Sequence, residues 1–358
     1  MHKQPVSQKT GAKNLGYKRI IFFMNYYSSP NFNFSKRRFE HPNGENNNRK
    51  FSQIIKIAYE YFCRDYDERE YKGFPAINSS KAELAHFSEN VMWIGHSTVM
   101  LNHKGITVLT DPHFTGRAGP FGFMGPKRIT SPPFLIEDLP KIDIILISHN
   151  HYDHLDKQTI IHLTKLQPEI KFFVPLGLSD ILKSLGVKDI VELDWWQSFE
   201  YKNIIIHATR VQHWSRRSFF DRNKTLWSGW MITWDNFSFY FAGDSGYSND
   251  FVKTAKLCGS PTLAAIPIGA YEPREFMKAA HMNPKEAVKA FQDLNTKYAF
   301  GIHWGTFKLT LELMDEPPIR LRECLSDAGV PQRKFKCLVH GEQWRDPFGN
   351  LQLNVSSK

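Results

Sequence analysis

The chain has 358 residues, 41% of them hydrophobic and 14% aromatic, enough apolar material for a sizeable core and too much for a disordered or fibrous protein. Its net charge of +10 is unevenly placed: residues 1–50 hold ten Lys or Arg against Glu40 and Glu45, a segment charge of +8 that leaves +2 for the rest. So neutral a body lacks the basic stripe of a protein that tracks a phosphate backbone, which sets nucleic-acid binding aside as the main function.

Residues 1 to about 50 are basic and Asn-rich, and their few periodic apolar positions do not offset the entropy of ordering them. The one apolar run there, Ile20 to Met24, is far short of the ~20 residues that span a bilayer. No small-residue cleavage site follows it, so neither a signal peptide nor a membrane span is expected. Ile54, Ile55, Ile57, Ala58 and Tyr61 permit a short helix, and Lys81 to Leu84 another. From Asn90 the texture changes. Residues 91–96 and 106–110 read as strands joined by a turn at His103-Lys104-Gly105, and further strands are expected at 142–148, 171–174, 203–208, 229–234, 237–241, 263–267 and 299–302. Helical patterns fall between them at 156–166, 178–185, 249–257, 284–294 and 318–328. Early hairpins followed by alternating strands and helices predict a layered α/β protein, two sheets with helices outside. One catalytic domain over 86–346 is expected, between a partly disordered 1–85 extension and a 347–358 tail. Cys63, Cys258, Cys324 and Cys337 show no short pairing, which fits a reducing compartment and buried thiols.

The densest chemistry lies in Ser148-His149-Asn150-His151-Tyr152-Asp153-His154-Leu155-Asp156, on the loop between the strand at 142–148 and the helix that Asp156 caps. One such cluster does not close a metal site. His213, Asp244 and His303 each stand just past the end of an expected strand and supply the remaining donors. Imidazoles and carboxylates without thiolates suit zinc, iron or manganese in a catalytic site. Seven donors are too many for one tetrahedral ion and enough for two: His149, His151 and His213 on one, Asp153, His154 and His303 on the other, and Asp244 between them. Two ions about 3.5–4 Å apart turn a shared water into a hydroxide nucleophile near neutral pH. His281 and His96 are open to two readings, an active-site group or a satisfied core histidine. The first is preferred for His281 and the second for His96. His2, His41 and His162 are assigned no role.

The cluster, together with Trp93-Ile94-Gly95-His96, Leu109-Thr110-Asp111-Pro112, Glu192-Leu193-Asp194-Trp195-Trp196, Gln212-His213-Trp214, Phe241-Ala242-Gly243-Asp244 and Ile302-His303-Trp304-Gly305, resembles the metallo-β-lactamase-fold hydrolases. Within them it is most similar to the N-acyl-phosphatidylethanolamine-hydrolysing phospholipases D, over roughly residues 90–345. The resemblance implies a four-layer αββα sandwich and two Zn2+ per chain. It also implies hydrolysis of N-acyl-phosphatidylethanolamine to phosphatidic acid and an N-acylethanolamine by a metal-bound hydroxide, without a covalent enzyme intermediate. Asp111 and His281 are then expected to matter to activity alongside Asp153 and Asp244, with Asp111 orienting a ligand imidazole. Gly122 and Phe123 stand where the animal enzymes carry a Gln-Tyr pair near the headgroup, and Arg216 stands where a Lys occurs; all three are substrate-side candidates.

A water-insoluble substrate requires contact with a bilayer. Phe114, Phe121, Phe123 and Met124, ringed by Arg117, Lys127 and Arg128, have the composition of an interfacial loop or, alternatively, of aromatics folded into the core. The tryptophans at 195, 196, 214, 227, 230, 234 and 304 read as core and cleft wall. The expected location is cytoplasmic with peripheral membrane association, and a homodimer is compatible with the sequence. Competing assignments are a di-metal hydrolase of a soluble ester, lactone or phosphodiester, a membrane-binding protein with a structural metal, and an RNA-processing nuclease.

Overall fold

A computed structural model describes residues 28–42 and 73–349. Its strands follow the apolar runs, and alternate residues divide between two hydrophobic clusters because successive side chains of a strand point to opposite faces. Val91 and Trp93, Ile144 and Leu146, and Phe173 face one cluster. Met92 and Ile94, Ile145 and Ile147, and Phe172 and Val174 face the other. A strand covered on both faces reads as an unbroken apolar run rather than an alternating one.

Beyond a small antiparallel pair, β1 (Phe32–Asn33) and β2 (Arg38–Phe39), the strands build two seven-stranded sheets. The first contains β3 (Asn90–Gly95), β4 (Thr98–His103), β5 (Ile106–Thr110), β6 (Ile144–Leu146), β7 (Lys171–Pro175) and β8 (Asp189–Leu193) in that spatial order, with a later strand on its β3 edge. The second runs β9 (Ser198–Tyr201), β10 (Ile204–Thr209), β11 (Gly229–Thr233), β12 (Ser238–Phe241), β13 (Leu263–Pro267), β14 (Tyr298–Ile302) and β15 (Phe335–Lys336). The chain then returns to the first sheet as β16 (Gln343–Trp344), antiparallel to β3. Each sheet is antiparallel in its first strands and parallel thereafter. The inner faces meet in a core that includes Trp93 and Phe173 from one sheet and Trp230 and Phe239 from the other. Helix Lys157–Leu166 covers the first sheet through Ile160 and Leu163. Helices Pro284–Asp293 and Glu316–Asp327 bring Ala287, Phe291, Leu321 and Leu325 to the second. The layers are α, β, β, α.

Several expectations need correcting. A full strand, β4, lies between the two segments assigned to one hairpin, so the turn at Lys104-Gly105 joins β4 to β5 rather than β3 to β5. β8 and β9 were not expected. Each is an edge strand of its sheet, and its half-exposed pattern carries little apolar signal. Residues 28–42, placed in the extension, dock on the body: Phe39 is fully buried beside Trp195, Leu226 and Trp227, and Asp194 accepts hydrogen bonds from Ser29 Oγ (2.6 Å) and Asn31 Nδ2 (2.9 Å). Residues 73–85 also pack on it, Phe74 against Trp304 and Ile77 N donating to His340 O. The helix considered near 54–61, Cys63 and the Ile20–Met24 run lie outside the described residues. Cys258, Cys324 and Cys337 are unpaired, as expected, but half-buried rather than sealed in the core. Trp195, Trp227, Trp230, Trp234 and Trp304 are buried. Among the described residues no helix is long and apolar enough to cross a membrane.

Candidate metal centre

Four strands of the sandwich end at one edge, and a chemical group follows each. After β6, Ile147 N still bonds Phe173 O, and the chain then turns through His149 to His154 before Asp156 caps helix Lys157–Leu166 through Gln158 N at 3.2 Å. His213 follows β10, Asp244 follows β12 and His303 follows β14. Gly243 takes a φ of +59°, and a Cβ there would lie 2.6 Å from Ser148 Cβ, so only glycine lets the β12 loop pass the β6 loop this closely. His303, His96 and Asp111 also have positive φ, at 63°, 51° and 32°, the sort of backbone strain that concentrates at functional sites.

The side chains converge in two groups that share an edge. His149, His151, His213 and Asp244 bring their donor atoms within 4.8 Å of one another, and so do His96, Asp153, His154 and His303. In the first group His149 Nε2 lies 2.7 Å, and His213 Nε2 3.2 Å, from His151 Nδ1. Asp244 joins the groups: Oδ2 is 3.6 Å from His213 Nε2 and 3.1 Å from His154 Nε2, while Oδ1 is 3.1 Å from His303 Nε2. Even so, His154 Nε2, His303 Nε2 and Asp244 Oδ1 are buried without a well-aligned hydrogen bond. Leaving such an atom unsatisfied costs ~1–3 kcal/mol. Close donors that are not aligned on one another fit cations held between them, and the nitrogen and oxygen donor set suits zinc, iron or manganese.

Asp111 organises the support. Its Oδ2 accepts from His154 Nδ1 at 2.6 Å and from Ser148 Oγ, and its Oδ1 accepts from Ser148 N at 2.7 Å. Ser148 Oγ in turn accepts from His149 Nδ1 at 2.9 Å. His213 Nδ1 donates to Ala280 O at 3.0 Å, which turns Nε2 toward the cluster. His96 Nε2 donates to Asp153 Oδ2 at 3.0 Å, and His96 O accepts from His303 N at 2.9 Å.

The electrostatics favour cation ligands. Burial, reinforced by neighbouring imidazoles, lowers the pKa of His149 and His281 well below the usual value, that of His96 and His151 to about 3 and that of His213 to about 4. These rings stay neutral, the form that binds a metal. For Asp153 and Asp244 burial pushes upward, but His154 and its neighbours outweigh it and hold both carboxyls well below their usual range. His154 and His303 go the other way. Burial opposes their charge, yet Asp244 and Asp153 overcome it, raising His154 well above its usual value and His303 to about 9.

All seven expected metal donors thus meet at one edge. His281 joins them, its Nδ1 buried, unpartnered and 3.9 Å from Asp244 Oδ2. His96, read as a core histidine, belongs to the cluster, a lone histidine at a tight turn being indistinguishable in sequence from a packed one. The substrate-side candidates do not reach the donors. Arg216 Nε bonds Ser218 O at 2.8 Å and its guanidinium stacks on Phe219, whereas Arg217 grips the metal loop through Asn150 O (2.9 Å) and Leu155 O (2.7 Å). Gly122 and Phe123 lie on an exposed turn where a Cβ on Gly122 would meet Gln158 Nε2 at 2.6 Å. Phe121, Phe123 and Met124 are exposed, while Phe114 packs against the core. Trp214 packs edge-on against His151, and Asp153 and His281 are the cluster side chains that keep partial exposure.

A family model described as a beta-lactamase superfamily domain matches residues 107–304. N-acyl-phosphatidylethanolamine-hydrolyzing phospholipase D 1 of Caenorhabditis elegans is 42% identical over 265 residues, covering 70% of this chain and 74% of that one. This chain belongs to that family of metal-dependent hydrolases. Another member, the mitochondrial N-acyl-phosphatidylethanolamine-hydrolyzing phospholipase D of Saccharomyces cerevisiae, is 39% identical over 68% of this chain and 53% of its own length. The family fold extends further: an isothiocyanate hydrolase from Delia radicum gut bacteria superposes with a TM-score of 0.57 at 19% identity, over 71% of this chain and 98% of that one.

Proposed function

We propose that this hydrolase cleaves the phosphodiester of N-acyl-phosphatidylethanolamine on the ethanolamide side, releasing phosphatidic acid and an N-acylethanolamine. The observation that carries the proposal is the pair of His/Asp groups joined by Asp244 where the strands end, in a chain closely related to enzymes named for this reaction. His149, His151 and His213 would hold one Zn2+ and Asp153, His154 and His303 the other, with Asp244 between them. When bound, two such ions lower the pKa of a shared water and offset the charge gathering on the phosphoryl oxygens.

The protein's own groups do the rest. Water attacks phosphorus, the bond to the ethanolamide oxygen breaks, and one proton passes from the water to the departing oxygen. We assign that proton to His281; an Nδ1 3.9 Å from Asp244 Oδ2 without a hydrogen-bond partner, on a ring that burial keeps neutral, supports the assignment. Asp111 keeps His154, and through Ser148 also His149, turned to the centre. Phe121, Phe123 and Met124, with Arg117 and Lys127 beside them, would meet the surface of the lipid that holds the substrate.

The test is hydrolysis by the zinc-loaded protein of mixed micelles containing N-acyl-phosphatidylethanolamine, phosphatidylcholine and phosphatidylethanolamine, beside a lactone and a soluble phosphodiester. Selective loss of the N-acylated lipid is expected. Turnover of the soluble compounds alone would reject the lipid substrate.

A further inference from the structure

Three arginines are gathered near the metal loop, and only Arg38 among them has a carboxylate within ion-pair distance among the described residues, Glu40, shared with Lys36. Asn223 is the knot that gathers them. Its backbone N donates to Ser215 O (2.8 Å) and its Oδ1 accepts from Ser215 N (3.1 Å). Its carbonyl accepts from Phe39 N (2.8 Å) and its Nδ2 donates to Phe39 O (3.3 Å). Arg216 follows Ser215, Arg222 precedes Asn223 and Arg38 precedes Phe39, so one set of hydrogen bonds brings together three guanidinium-bearing positions from two distant parts of the chain.

Their charges are poorly matched. Arg222 stacks on Trp214 at 5.1 Å and Arg216 on Phe219 at 5.3 Å, and neither makes an ion pair among the described residues. Arg38 reaches Glu40 only at 3.7 Å, and Lys36 holds the same Glu40 oxygen at 2.7 Å. Asp221, on the same loop, spends its carboxylate on the backbone N–H groups of Arg217 and Ser218. Consistent with crowding of like charge, Arg222 is held below its usual pKa first by burial and then by Arg216 and Arg38. Guanidiniums packed together repel one another, and an anion bound among them relieves the repulsion.

The setting indicates which anion. The same loop carries Phe219 and Phe220, 87% and 86% exposed, the two most exposed large apolar side chains among the described residues. Through Arg217 this loop grips residues 150–155, and the loop with Phe121 and Phe123 rests on the next turn of chain, with Phe114 N donating to Thr159 Oγ1. Two loops with exposed aromatic tips are therefore each bonded to the segment 150–159 that carries the His/Asp loop and its helix. Trp214 contacts both Arg222 and the cluster residue His151, which sets the arginines beside the His/Asp cluster.

We propose that Arg38, Arg216 and Arg222 form a site for the phosphate of an anionic phospholipid in the bilayer, next to the metal centre, with Phe219 and Phe220 inserted beside it. The site rests on the lipid-substrate proposal in that it draws the edge that carries the centre onto the membrane. Its occupant is a neighbouring lipid or the released phosphatidic acid, not the scissile phosphate. The docked segment 28–42 thereby acquires a task, supplying the third arginine.

The experiment is sedimentation of the full-length, metal-loaded protein with vesicles of phosphatidylcholine alone or containing phosphatidic acid. Binding is expected to be at least about ten-fold tighter to the acidic vesicles and to weaken as salt is added. A juxtamembrane basic residue contributes about 1 kcal/mol, or about five-fold in affinity, so Arg38→Gln and Arg222→Gln should each cost about that much on acidic vesicles only. Arg222→Lys should keep most of the binding, and Phe219→Ser with Phe220→Ser should weaken binding to both kinds of vesicle. Metal content and thermal unfolding check that the variants are folded. Equal binding to the two vesicle types, unchanged binding of the arginine variants, or full competition by millimolar inorganic phosphate would overturn the proposal. The readout needs no turnover. Vesicle binding without hydrolysis of the N-acylated lipid would remove the proposed reaction, whereas hydrolysis in detergent micelles without acid-dependent vesicle binding would remove only the docking site.

Discussion

Asp111 Oδ2 and His154 Nδ1 lie 2.6 Å apart with both side chains fully buried, and the same carboxylate reaches His149 through the Ser148 hydroxyl. One residue that touches neither proposed ion thus sets the orientation of an imidazole in each group. Asp111→Asn keeps the shape and removes the charge. The expected outcome is a 10–100-fold loss of zinc affinity, the usual cost of losing such a partner, with the fold retained by circular dichroism. Unchanged zinc affinity in a chelator competition would show that Asp111 is only a turn residue before Pro112.

His96 acts at the other end of the cluster. Its ring fixes Asp153 and its carbonyl fixes the backbone of His303, so His96→Ala should loosen the group built from Asp153, His154 and His303 and leave the other intact. Elemental analysis after dialysis should find close to two zinc ions in the parent protein and close to one in the variant. Two in both would return His96 to the packed core.

Gly243→Ala tests how tightly the loops are fitted. The added methyl would meet Ser148 at 2.6 Å on a backbone with φ near +59°. Overpacking of this kind costs ~1–3 kcal/mol. Because Ser148 carries the bonds to Asp111 and His149, lower metal content should accompany the lower melting temperature. A variant that melts early but binds zinc normally would separate the packing from the centre.

The site is expected to exchange protons for metal. In the chelated protein His303 titrates near 9 and His154 is also raised, so both rings are protonated at pH 7 and must release those protons to bind metal. Calorimetric titration with zinc at pH 7 in two buffers of different ionisation heat should show net proton release, and affinity should rise with pH up to about 9. Stability follows the same sign. The folded-state pKa of His303 is raised from 6.5, so its contribution to the chelated protein is complete below pH 6.5 and is lost as pH rises through about 9. Asp153 and Asp244 are depressed, so their contributions are present above the usual carboxylate range and are lost as pH falls below it. The depressed rings of His96, His149, His151, His213 and His281 act with the opposite sign, gaining stability as pH rises to about 6.5 and changing little above it. Chelated protein should therefore melt earlier at pH 9 than at about pH 7.5, where only the raised groups still titrate. An equal or higher melting temperature at pH 9, or no proton release, would contradict these assignments.

The centre was more legible in sequence than its surroundings, for a physical reason. His213, Asp244 and His303 each follow an apolar strand, and neighbouring strands that end on one edge of a sandwich bring whatever follows them together. His96 gave no such signal, because its role depends on a positive-φ turn and on contacts to Asp153 and His303 from far along the chain. Arg216 and Arg217 are adjacent and identical in type, and only the backbone decides which of them turns inward. Strand β4 was hidden by polar ends, Ser97-Thr98 and Asn102-His103, that are buried in the fold. The ordering of residues 28–42 rests on Phe32 and Phe39, isolated apolar positions whose partners, Trp195 and Trp227, lie far along the chain.

The proposed reaction is tested most directly by hydrolysing N-acyl-phosphatidylethanolamine with the zinc-loaded protein in 18O-labelled water and weighing both products. Attack of water at phosphorus with departure of the ethanolamide oxygen places one 18O in phosphatidic acid and none in the N-acylethanolamine. Label in the N-acylethanolamine, or products of cleavage at any other bond, would contradict it.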